Sequence, residues 1–91
     1  CLFVHTAMQL ASEDEDLQGV LQKFMKRMSK TFAIGLESAK ARGEVRQDLD
    51  TVAAGEFLTN TQFGLAVLGR TGFSRESLDG IVTSALSALT A

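Results

Sequence analysis

Few side chains in this sequence have the types and spacings from which chemistry is made. His5 is the sole histidine, and Cys1 is its only nearby companion as a metal ligand. Zinc takes four protein ligands in structural sites and three plus water in catalytic ones, so this pair makes no zinc site. His5 is expected to form an ordinary hydrogen bond at a helix edge. The serines and threonines fall mostly at helix caps or among small residues, and no nucleophile, base and orienting group can be named together. The chain is expected not to be an enzyme and to carry no metal or cofactor.

Two further groups lie on one stretch of sequence. Lys23, Lys26, Arg27 and Lys30 recur at helical spacing and form a basic face that phosphate or an acidic partner could use. The whole chain, however, has 9 Lys and Arg against 11 Asp and Glu, a net charge of -2. Duplex binders carry a positive excess, so this face is expected to be solvated. Phe24, Met25, Met28 and Phe32 interleave with it, and methionine with phenylalanine lines adaptable apolar pockets. Core packing is the competing account at each of these positions.

The elements that position these groups are helical throughout, with no competing run of strand-like alternation. An apolar arc of Phe3, Val4, Ala7, Met8, Leu10 and Ala11 predicts a helix over roughly 1–11. SEDED at 12–16 then reads as a start signal, with Ser12 and Glu15 spaced as a capping box and Asp14 as the rival cap. Leu17, Val20, Leu21, Phe24, Met25, Met28, Phe32, Leu36 and Ala39 predict a long amphipathic helix over about 15–42. In ARGEVRQDLD, Gly43 is placed to end that helix, Val45 and Leu49 to hold the connection on the core, and Asp50 to cap the next helix. That helix is expected over 51–70 and ends at Gly72. Ser74 then caps a last helix over about 75–90.

Charge is unevenly spread along this plan. Of the twenty charged side chains fifteen fall within residues 1–51, whereas 57–69 and 80–91 hold none. The 51–70 helix therefore has two apolar faces, one with Ala54, Phe57, Leu58, Thr61, Leu65 and Leu68, the other with Val52, Phe63, Ala66 and Val67. The last helix backs its stripe of Leu78, Ile81, Val82, Ala85, Leu86 and Leu89 with Gly80, Thr83, Ser84 and Ser87. A chain of 91 residues buries about two-thirds of its unfolded surface. Four helices cannot cover this much apolar circumference, so a second copy is expected to cover it, an upstream segment being the other candidate. Interior glycines such as Gly64 and Gly80 cost about 1 kcal/mol each against alanine, for which close backbone approach would compensate.

Hydrophobic residues make up 45% of the chain, yet no apolar run approaches the ~20 residues of a membrane span. No membrane partner is expected. A single cysteine suits a reducing compartment. The chain opens on Cys1 within an apolar helical pattern and without a cap, so residues 1–91 are expected to be one domain from the C-terminal part of a longer protein.

In this order the pieces resemble the C-terminal domain of TetR-family transcriptional regulators. CLFVHTAMQLA resembles a helix of that domain. ARGEVRQDLD resembles the family's A-x-G-E-hydrophobic-R-x-D-x-D connection at Ala41, Gly43, Glu44, Val45, Arg46, Asp48 and Asp50, although Thr51 stands where proline is frequent. TQFGLAVLGRTG resembles the dimerisation helix at Gln62, Gly64, Leu65, Leu68 and Arg70, and SRESLDGIVTSALSAL the last helix.

The resemblance implies an all-α, four-helix orthogonal and antiparallel domain whose last two helices form an intersubunit four-helix bundle. It implies a homodimer joined through Leu58, Thr61, Gln62, Gly64, Leu65 and Leu68 of one helix and Ile81, Val82, Ser84, Ala85 and Leu89 of the other. It implies a small apolar effector bound near Phe3, Phe24, Met25, Met28, Phe32 and Phe63. DNA would be met only through an N-terminal helix-turn-helix domain outside these residues, in the cytoplasm. The alternative is a stand-alone helical oligomerisation or adaptor module with neither ligand nor DNA role.

Overall fold

The structure, a computed structural model, describes His5, Met8, Gln9 and residues 14–90. Among the described residues there are three continuous helices and no strand: α1 (Glu15–Ala41), α2 (Thr51–Arg70) and α3 (Arg75–Ser87). The all-α class stands. His5, Met8 and Gln9 are helical and exposed, while the rest of the helix expected over 1–11, Phe3 included, lies outside the described residues.

Each helix begins where a side-chain oxygen can take up a free N–H. The Asp14 carboxylate accepts from the Leu17 N–H at 3.0 Å, so Asp14 is the cap of α1. Asp50 accepts from both Val52 and Ala53, and Ser74 from Ser77. The helix ends are equally local. After α1 the chain passes through Gly43 at φ 74°, with Gly43 N–H bonded to the Lys40 carbonyl and Glu44 N–H to that of Ala39. After α2, Gly72 takes φ 91° and Phe73 N–H bonds to the Leu68 carbonyl. Both are left-handed glycine terminations that satisfy the last carbonyls.

The connection from 42 to 50 is tied down from three sides. The Lys40 ammonium donates to the Leu49 carbonyl, the Gln47 amide to the Lys40 carbonyl, and the Arg46 N–H to the Leu89 carbonyl. Val45 and Leu49 are buried with Leu36, Ala39, Ala54 and Leu89, and Leu58 packs against them. At the surface, Arg42 pairs with Glu44 at 2.7 Å. This hydrogen bond, and secondarily the opposite charge, holds the Glu44 carboxyl below its ordinary value and the Arg42 guanidinium above its own. The small stability linked to Glu44 is present above the unfolded carboxylate value and is lost as pH falls through the lowered one.

α1 and α2 run together along the 15–41 and 51–70 segments and cross closely at Gly55. A Cβ there would meet the Ser29 carbonyl oxygen, with Ala33 N at 3.2 Å and Ala33 Cβ at 3.3 Å. Beside the crossing the Ser29 and Thr59 hydroxyls share a 2.8 Å hydrogen bond. Thr51, the first residue of α2, is buried and donates to Glu37 Oε1 at 2.7 Å. Among the described residues the close approach expected at Gly64 and Gly80 is not made, and Gly55 is where a helix backbone needs the missing side chain.

α3 ends at Ser87, earlier than expected: Ala88 is its exposed C-cap, and Leu89 turns inward to the core. Among the described residues the outcome is a layer one helix thick, with Cα extents of 43 × 32 × 13 Å. Its radius of gyration is 14.9 Å, whereas a compact chain of this length has about 12 Å. It exposes 6477 Å², against about 5,200 Å² for a compact monomer of this mass. No large side chain is fully buried among the described residues. A single layer of helices covers the flanks that meet and leaves its two broad faces open, which is why apolar residues remain at the surface.

Candidate functional site

Three concavities among the described residues bear on function. The first lies on one flank of α1, where Phe24, Met28 and Phe32 with Arg27 and Thr31 border a depression of about 270 Å³. Helical spacing alone brings these side chains together. Three of the expected effector residues therefore share a site, whose walls among the described residues come from one helix. Its volume falls just under the range of about 300–1,000 Å³ usual for small-molecule pockets. Met25 and Phe63 are half-buried and do not line this depression, and Phe3 lies outside the described residues. Met28→Trp should fill the depression at little cost, with a loss of apolar-probe binding and a change of less than about 1.5 kcal/mol in urea denaturation. Unfolding by this substitution would show Met28 to be close-packed core.

The second concavity is a groove of about 640 Å³ between α2 and α3, bordered by Phe57, Thr61, Phe73, Ser77, Gly80, Ile81, Ser84 and Ala85. Four expected interface residues, Thr61, Ile81, Ser84 and Ala85, meet here. Gln62, Gly64 and Val82 are exposed outside it, and Leu65 and Leu68 are half-buried. Leu89 and Ala85 are both largely covered within the chain itself. Leu89 is only 5% exposed and sits in this chain's own core, held by the Arg46 bond to its carbonyl. Leu58 likewise packs on that core.

Phe57 and Phe73 belong to the groove and were absent from the expected interface. Phe73 had a sequence signal: it follows the glycine of a left-handed helix termination, a position that commonly carries a hydrophobic contact back to the helix. It is 49% exposed, and Phe57 is 39% exposed. Gly80 is the helix-interior glycine that lines this groove, and among the described residues nothing lies within 4 Å of a Cβ built on it.

The third concavity, of about 360 Å³, lies between α1 and α2 beside the Gly55 crossing, and is lined by Lys26, Ser29, Lys30, Ala33, Val52 and Glu56. Spacing on α1 showed Lys26 and Lys30 to share a face but could not show that Val52 and Glu56 stand across from them. Among the described residues no group of three or more His, Cys, Asp and Glu is arranged to hold a metal ion. No described helix is long and apolar enough to cross a membrane. No family model, curated protein or solved structure matches this chain.

Proposed function

We propose that this chain is the dimerisation and effector-binding region of a TetR-like transcriptional regulator, a non-enzymatic cytoplasmic protein whose DNA-binding heads lie outside residues 1–91. The observation that carries this reading is the α2–α3 groove in a layer one helix thick. It is apolar and small-residue lined, it lies on the charge-poor half of the chain, and its Gly80 faces open space. A second copy placed two-fold against it makes an isologous four-helix contact, with Gly80 and Ser84 allowing the helices to approach. Phe24, Met28 and Phe32 then form one wall of an effector site completed by residues that this layer does not supply. An effector that fits one spacing of the two heads better than another shifts the DNA-binding population.

A fusion of residues 1–91 behind a monomeric helix-turn-helix head tests this reading. The head alone occupies a single half-site weakly. The fusion should bind a two-half-site operator at least about a hundredfold more tightly, because the second head then binds at high effective concentration. A fusion no tighter than the head alone would remove the regulator reading, and a mass above the dimer would favour an oligomerising adaptor.

A further inference from the structure

The α1–α2 cleft lies on a different part of the surface from both the Phe24–Phe32 depression and the dimer groove, and its chemistry differs from theirs. Lys26 and Lys30 are one helical turn apart and rise from the same flank of α1. Beneath them Ser29 and Ala33 come against α2, because Gly55 lets the two backbones close. Ala33 and Val52, the latter 66% exposed, supply an apolar wall, and Glu56 closes the rim on the α2 side. The Ser29 hydroxyl donates to the Met25 carbonyl and shares a bond with Thr59, so it is already engaged.

The ammonium groups are the polar groups left to recognise a ligand. Among the described residues the ion pairs are Arg42–Glu44, Arg46–Asp48 and Arg75–Asp79, none of which uses Lys26, Lys30 or Glu56. Two cations and one carboxylate leave the cleft with one net positive charge, and Lys23 and Arg27 add to the potential from the same helix. Lysine stems can lie along an apolar body while their heads reach an anion. A ligand complementary to this arrangement has one negative charge at one end and a short apolar remainder.

We propose that the α1–α2 cleft binds a single-tailed carboxylate, its head between Lys26 and Lys30 and its tail on Ala33 and Val52. Its role as an effector rests on the regulator reading above, but binding itself does not. Octanoate, octanol and octylamine, titrated separately into the 91-residue protein and followed by amide NMR shifts, test it. Octanoate should saturate, moving the Ala33 and Val52 amides, and should weaken as salt rises. Octanol and octylamine should each bind about tenfold or more weakly, and Lys26→Gln with Lys30→Gln should weaken octanoate by about the same factor. Lys23→Gln, outside the cleft, should keep at least half of the octanoate affinity, and circular dichroism should confirm that the variants fold.

Absence of saturation, octanol binding as tightly as octanoate, or an unchanged double variant would each overturn the proposal. So would shifts confined to Phe24, Met28 and Phe32. Particle mass measured on the same samples separates the two readings. A dimer that ignores octanoate removes this proposal alone, whereas a monomer that binds it removes the dimerisation reading alone.

Discussion

Gly55→Ala should destabilise the chain by about 3 kcal/mol, at the upper end of what overpacking costs. In an isolated helix the same change is favourable by about 1 kcal/mol, so the sign itself is diagnostic. The added methyl would run into the Ser29 carbonyl oxygen, with Ala33 N 3.2 Å away. Both are backbone atoms of α1, and neither can rotate aside as a side chain would. Relief requires α2 to shift away from α1, which stretches the 2.8 Å Ser29–Thr59 bond and opens the packing around Leu36, Ala39 and Ala54. At about 4–8 °C per kcal/mol for a domain of this size, Tm should fall by roughly 12–24 °C. Gly35→Ala is the control: nothing lies within 4 Å of its added Cβ. It should raise stability by up to about 1 kcal/mol. Urea denaturation of the two variants compares them, and equal behaviour would mean the helices do not cross as described.

Ser84→Arg should dissociate the proposed dimer without unfolding the subunit. Ser84 is exposed and lines the α2–α3 groove, so a single chain accommodates arginine there in solvent. In a two-fold contact the new charge is buried twice, once per subunit. A buried unpaired charge costs several kcal/mol, so a total of at least about 4 kcal/mol is expected. At 1.4 kcal/mol per factor of ten this weakens association about a thousandfold. Leu65→Glu should also disrupt the dimer, but Leu65 is half-buried within its own chain, which makes Ser84 the cleaner position. Lys23→Glu on the solvated face of α1 should leave the mass unchanged. Gly80→Ala sharpens the comparison. In a monomer it stabilises the exposed helix, whereas in a dimer closely packed at Gly80 it weakens association. Light scattering on these variants locates the interface.

The parts of this fold that depend on neighbours in sequence could be read from residues alone. Asp50, Ser74, Gly43 and Gly72 act through groups within a few positions of themselves, and the helix starts at Thr51 and Arg75 follow from them. Gly55 was illegible for the opposite reason: AAGEF and QFGLA look alike to any local rule. Only the passage of Ser29 and Ala33 across it, from more than twenty residues earlier, distinguishes Gly55 from Gly64. Leu89 shows the same limit. A stripe of apolar residues marks a face to be buried without saying whether this chain or another buries it, and the inward turn after Ser87 assigned Leu89 to the core. The α1–α2 cleft was hidden because a helical wheel shows which side chains share a flank and not what stands opposite.

Dimerisation through α2 and α3 is the claim on which the regulator reading turns, and sedimentation equilibrium of the unmodified chain tests it most directly. The layer 13 Å thick and its 640 Å³ groove predict a particle of twice the 9.8 kDa chain mass, maintained through the micromolar range. That persistence is expected of an apolar interface burying about 2,000 Å² or more. A particle of 9.8 kDa at every concentration would contradict it.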